Sequence, residues 1–147
     1  MKLSTKGRYA TRAMMDLARH YTEGLVLLRD IAERQDISER YLEHLFLSLK
    51  AAGLVKSVRG ARGGFTLTSP PAETKLIDIL RVSEGPMSVV ECTVNPESCP
   101  RSMRCAMRDV WSELQEAMNG VLKSMTLQDL VDRQVNKDRN TTNMYTI

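Results

Sequence analysis

Apolar residues along this chain follow several distinct periods. From Ala10 to Tyr21 they fall at Ala10, Ala13, Met14, Leu17, Ala18 and Tyr21. That three-and-four spacing predicts an amphipathic helix, with Ser4 or Thr5 at its N-terminal cap and Glu23-Gly24 as its stop. LLRDIAERQ predicts a second, short helix with Leu28, Ile31 and Ala32 inward, and the turn QDI follows. Ser38 then caps a third helix, SERYLEHLFLSLKAAG, which buries Leu42, Leu45, Phe46 and Leu49 and closes at Gly53. At Leu54–Val58 and Phe65–Thr68 the period changes to two around a Gly/Arg loop, which predicts a β-hairpin. SPP at 69–71 is a stop, and TKLIDILRVSEG predicts a fourth helix ended by Gly85-Pro86.

Past that point the pattern lapses. Residues 86–102, with Pro86, Pro96 and Pro100, read as loop. A long helix is predicted from about Met103 to Met125. Its apolar residues Met107, Trp111, Leu114, Met118, Val121 and Met125 are spaced as the seam of a helix that pairs with another helix. TLQDLVDRQ predicts a last short helix to about 134. Residues 135–147 are polar and read as a disordered tail.

The expected fold is therefore mainly α with a small β-hairpin wing. A winged helix-turn-helix occupies residues 1–85, a cysteine-bearing loop 86–102, and a dimerisation helix with a short terminal helix 103–134. In such a fold the outer side of the third helix faces a DNA groove. That assigns Ser38, Arg40, Tyr41, Glu43 and His44 to duplex contact. Glu can accept from cytosine N4, and Ser and Arg can reach phosphates or base edges. Arg59 and Arg62, at the tip of the glycine-rich hairpin loop, suit a narrow minor groove. Lys50 and Lys56 suit phosphates.

Charge sharpens this division. The net charge of +3 says little by itself. Residues 1–70, however, hold 12 Lys/Arg against 7 Asp/Glu, while residues 71–147 hold 9 against 11. The basic surplus lies with the predicted DNA-binding half. A hydrophobic content of 42% suits a globular chain with a core, and no apolar run approaches a membrane span. A cytoplasmic protein without a membrane partner is the expectation.

All three cysteines lie in ECTVNPESCPRSMRC, as Cys92, Cys99 and Cys105, at C-x6-C-x5-C spacing. The spacing does not match the paired knuckles of structural zinc sites. Iron–sulfur clusters tolerate longer, proline-containing loops but usually take four protein ligands, so a fourth would have to come from elsewhere. Free thiols and a thiol-redox switch are the other readings. No C-x2-C pair and no Cys–His–acid set is present, so an enzyme is not expected.

MKLSTKGRYA at the start, ISERYLEHLFLSLKAAGLVKSVRGARGGF in the middle, and C-x6-C-x5-C followed by RDVW resemble the IscR-type regulators, with NsrR, RirA and CymR as relatives. The resemblance runs over about residues 1–134. It implies a homodimeric transcription factor, most readily a repressor, that reads a palindromic operator in double-stranded DNA. It further implies an iron–sulfur cluster held by Cys92, Cys99 and Cys105, with [2Fe-2S] ahead of [4Fe-4S]. Glu43 matches a family glutamate that distinguishes two classes of DNA site, and Arg59 the wing arginine of the minor groove. The chain departs from the family at the fourth ligand. Where IscR carries a histidine three residues after the last cysteine, this sequence has Arg108. Where the nitric-oxide-sensing relatives carry an aspartate near the N-terminus, it has Arg8. The fourth ligand is thus unknown, with Glu91, Glu97 and Asp109 as local carboxylates. Two other readings go with this one: a cluster-free, CymR-like regulator of sulfur or cysteine metabolism, and, in another class, an iron–sulfur carrier or assembly protein.

Overall fold

A computed structural model describes residues 2–145. Helix α1 spans Thr5–Arg19, capped by Ser4, whose hydroxyl accepts from the Gly7 amide at 3.1 Å. It buries Ala10, Ala13, Met14, Leu17 and Ala18, as its periodicity predicts. It ends two residues before Tyr21, because Tyr21–Glu23 tightens into a 3₁₀ turn that runs into Gly24 at φ +92°. Helices α2 (Leu28–Gln35) and α3 (Glu39–Ala51) follow. Between them Asp36 adopts left-handed backbone at φ +53°, a conformation that aspartate tolerates better than most residues. The corner is filled by Ile37, 5% exposed.

Strands β1 (Val55–Val58) and β2 (Gly64–Leu67) form an antiparallel hairpin, with Val55 opposite Leu67 and Val58 opposite Gly64. Val26, between α1 and α2, bridges the hairpin through both of its backbone bonds to Phe65, at 2.9 and 2.7 Å. Gly64 permits this approach: its φ is +154°, and a Cβ there would lie 2.7 Å from the Val26 carbonyl oxygen. The hairpin is thereby fixed to the helical body near the loop end of β2.

Helix α4 spans Leu76–Glu84, α5 spans Ala106–Ser124 and α6 spans Leu127–Tyr145. The α5–α6 junction is clipped to the start of α4 by Leu76 N–H donating to Met125 and Leu127 N–H to Thr74, both at 2.9 Å. The core combines the inward stripes of α1 and α3 with Ile31, Val55, Leu67, Ile79 and Leu127. This is the mainly helical, hairpin-winged architecture that the periodicities predict.

The cysteine segment is less irregular than expected, since it folds as three 3₁₀ turns at Glu91–Thr93, Pro96–Ser98 and Ser102–Arg104. The last helix continues to Tyr145, where the sequence predicts a helix end near 134 and a disordered tail. Apolar periodicity does not reach this far, and polar contacts take its place. Gln134 donates to Asp138, Thr141 and Thr142 hydroxyls donate back to the carbonyls of Lys137 and Asp138, and Arg19 of α1 pairs with Asp138 at 3.4 Å. Residues 146 and 147 of the expected tail lie outside the described residues.

One buried charge ties α1 to α2. Asp16 is 2% exposed. Arg34 donates to it through Nε and one terminal nitrogen, at 2.6 to 3.2 Å, and Gln35 donates at 2.9 Å. The hydrogen bond to Asp16 raises the Arg34 pKa above its ordinary value. The carboxylate is fully satisfied, as a buried ion requires.

Candidate nucleic-acid interface and cysteine loop

The buried stripe of α3 leaves Arg40, Glu43 and His44 exposed on the opposite side. Ser38 stands at the helix start, with its hydroxyl accepting from the Tyr41 amide at 3.1 Å, so it orders the first turn. Tyr41 is half-buried, and its ring meets Tyr9 of α1 edge-on at 5.5 Å. Arg12 lies over the Tyr9 ring at 5.6 Å and donates to the Gln35 carbonyl at the end of α2. The helix-turn-helix corner is thus braced from α1.

The hairpin is fastened to the far end of α3. Lys50 Nζ donates to Ser57 Oγ on β1 at 2.8 Å. Lys56, Arg59 and Arg62 are exposed along the hairpin and its loop. The loop needs its glycines: Gly60 has φ +107°, and a Cβ on Gly63 would sit 2.2 Å from the Val58 carbonyl oxygen.

Two residues near this surface escaped the sequence reading. Lys6, in the first turn of α1, lines a hollow with Tyr41, His44, Leu45 and Ser48. Its basic charge is a weak signal, because helix packing alone brings it to α3. Leu47 on α3 is 66% exposed, outside the apolar stripe that the period of the helix defines. A wheel drawn for α3 would have isolated it.

Cys92, Cys99 and Cys105 are half-buried free thiols. Among the described residues, no set of three Cys, His, Asp or Glu side chains is gathered as a metal site. Cys105 stands at the N-cap position of α5. Arg108, in the place of the absent histidine, donates from Nε to the Cys92 carbonyl at 3.0 Å. Gln115, two turns on, accepts from the Val89 amide at 3.3 Å and the Thr93 hydroxyl at 2.5 Å. Ser102 closes the loop on itself by donating to the Pro96 carbonyl at 2.6 Å. The carboxylates Glu91, Glu97 and Asp109 are exposed.

Helix α5 has no buried residue. The sequence seam divides on this helix. Trp111, Met118 and Met125 are half-buried against the chain's own body, whereas Met107, Leu114 and Val121 are exposed. Val110 joins the exposed set, at 49%. Together Met107, Val110, Leu114 and Val121 make an outward apolar stripe with heptad spacing. Met107, Leu114 and Val121 of this stripe belong to the seam that the sequence predicts, and Val110 does not.

No helix among the described residues is long and apolar enough to cross a membrane. Residues 3–133 match the family described as Rrf2, iron-dependent transcriptional regulator. The chain is 45% identical over 130 residues to the HTH-type transcriptional regulator CymR of Bacillus subtilis, spanning 88% of this chain and 89% of that one. The solved structure of that protein, the global cysteine regulator of B. subtilis, superposes with a TM-score of 0.78 at 44% identity over 90% of this chain and 98% of its own. The transcriptional regulator IscR of Serratia proteamaculans is 40% identical over 152 residues, covering 97% and 92% of the two chains. The T. potens IscR structure gives a TM-score of 0.75 at 42% identity over 91% and 88%.

Proposed function

This chain belongs to the Rrf2 family of transcriptional regulators, and from that premise we propose that it acts as a homodimer on palindromic operator DNA, with the cysteine loop as its input element. As a member of that family it is a DNA-binding regulator, not an enzyme. Arg40, Glu43 and His44 face the major groove, with Glu43 accepting from cytosine N4 and Ser38 and Tyr41 at the helix entry. Arg59 and Arg62 enter the adjacent minor groove, and Lys56 lies along phosphates with Lys50. The observation that carries this reading is the Lys50–Ser57 bond, because it fixes the basic hairpin at a set distance from the exposed face of α3. The outward stripe of α5 supports pairing with a second copy, and two copies match a two-fold operator. Bound over a promoter, such a dimer represses.

Three soft thiols on one short loop, one of them at a helix N-terminus, fit an iron–sulfur cluster in donor chemistry. Bound, a cluster would supply a redox-sensitive cross-link between the turns of the loop. Cys92, Cys99 and Cys105 would hold it, with an exposed carboxylate such as Glu91, Glu97 or Asp109 as the weak fourth donor. Arg108 and Gln115 tie the loop to α5, so a change at the thiols is passed to the helix that sets the spacing of the two reading helices. A second reading, a cluster-free thiol regulator, is favoured by the Arg108–Cys92 contact, which orders the loop without a metal.

The test uses full-length protein purified without air. Duplexes are enriched from a random pool, and the bound site is footprinted. A two-fold symmetric footprint that Arg59→Ala abolishes, while sedimentation still gives a dimer, is the expected result. Recovery of no specific duplex overturns the regulatory reading. Visible absorbance with bound iron and sulfide after reconstitution supports the cluster. Its absence, with DNA affinity that changes reversibly on thiol oxidation, supports the second reading.

A further inference from the structure

Leu47 has no role in the core or in the outward stripe of α5. It is 66% exposed on α3, while Leu42, Leu45, Phe46 and Leu49 of the same helix are buried. At 100° per residue, Leu47 lies within about 30° of the direction opposite that buried stripe. Arg40, Glu43 and His44 share its side, at i−7, i−4 and i−3, and all three are exposed and polar. Scattered surface leucines are ordinary, but a large apolar side chain centred on a face that otherwise carries hydrogen-bonding groups is not. Leu47 stands about 12 Å, a little over two turns, along the helix from Glu39, on the helix that such a fold lays in the major groove.

We propose that Leu47 is a specificity-determining residue that contacts the C5-methyl group of a thymine in each operator half-site. The proposal rests on the DNA-binding reading above. A major groove presents four base edges, and only thymine offers an apolar group there. A branched aliphatic side chain between His44 and the lysine-anchored end of α3 meets that methyl without needing a polar partner. It also excludes water from the neighbouring polar contacts of Glu43 and His44. Lys50, engaged with Ser57 at 2.8 Å, holds the hairpin against this end of the helix. Leu47 therefore adds discrimination, while the surrounding cations add affinity.

The experiment removes one methyl group from the DNA and one side chain from the protein. The duplex enriched with the full-length wild type is resynthesised with deoxyuridine replacing each thymidine in turn, and dissociation constants are measured by fluorescence anisotropy. Wild type is expected to bind about fourfold more weakly when one particular thymine per half-site lacks its methyl, the loss that corresponds to one buried carbon. Leu47→Ala is expected to bind thymine and uracil versions equally, with the salt dependence of binding unchanged because no phosphate contact is lost. Since Leu47 is exposed and alanine favours helix, the variant folds. If no thymine position is sensitive, or if the sensitivity persists in Leu47→Ala, the proposal is overturned and the residue belongs to some other contact. If the pool yields no specific duplex at all, this proposal and the DNA-binding reading fall together.

Discussion

Replacing Asp16 with Asn tests whether the helix-turn-helix is held in place by one buried charge. The carboxylate is 2% exposed and takes hydrogen bonds from both Arg34 and Gln35. Asparagine keeps the shape, but it turns an amide N–H₂ toward donors that need an acceptor. Breaking a buried ion pair by removing one partner costs about 3–5 kcal/mol. Arg34 is itself 38% exposed and regains water when released, which places Asp16→Asn at the lower end, about 3 kcal/mol. For a chain of this size that lowers the melting temperature by roughly 10 °C. Arg34→Met is expected to cost more, because it leaves the buried carboxylate with Gln35 as its main donor. Urea denaturation at pH 7, with both single variants and the double variant, measures the coupling directly. A loss under about 1 kcal/mol for Asp16→Asn, or an Arg34→Met cost smaller than that of Asp16→Asn, would refute the argument from burial.

Two further changes probe the wing and the last helix. Gly63→Ala places a methyl 2.2 Å from the Val58 carbonyl oxygen, so the hairpin tip must move; specific DNA affinity should drop at least tenfold in anisotropy while sedimentation still reports the native oligomer. Asp129 accepts from the Thr126 amide and hydroxyl at the start of α6, and these bonds hold its carboxyl below the ordinary range. A depressed folded pKa contributes stability above the unfolded value, and that contribution is lost as pH falls through the folded one. Urea midpoints of Asp129→Asn should therefore lie below wild type at pH 7 and converge with it in acid below about pH 4, and parallel curves would contradict the capping role.

The fold was legible wherever burial follows one period. The stripes of α1 and α3, the Ser38 cap, the plug at Ile37 and the glycine-bounded hairpin all follow from local rules that tertiary packing did not override. The end of α6 was not legible, because residues 135–145 carry no apolar period and their contacts are polar, local bonds from Gln134, Thr141 and Thr142 together with the distant Arg19–Asp138 pair. The seam of α5 was half legible: heptad spacing marks two adjacent faces, and only packing against the chain's own body assigns Trp111 and Met118 inward and Val110 outward. At the cysteines, spacing could not foresee Arg108 reaching back to the Cys92 carbonyl, since that bond depends on how the three short turns fold over α5. Leu47 passed unnoticed because a leucine within a leucine-rich helix reads as core until its angle is drawn.

The absence of any buried side chain on α5 makes copy number a variable in its own right. If the helix gains its burial from a second protomer, its rigidity and that of the loop it braces follow the law of mass action. Dilution below the dissociation constant would then unfasten the thiol segment with no chemical event at all. A cell holding few copies would then hold that segment more loosely than one holding many.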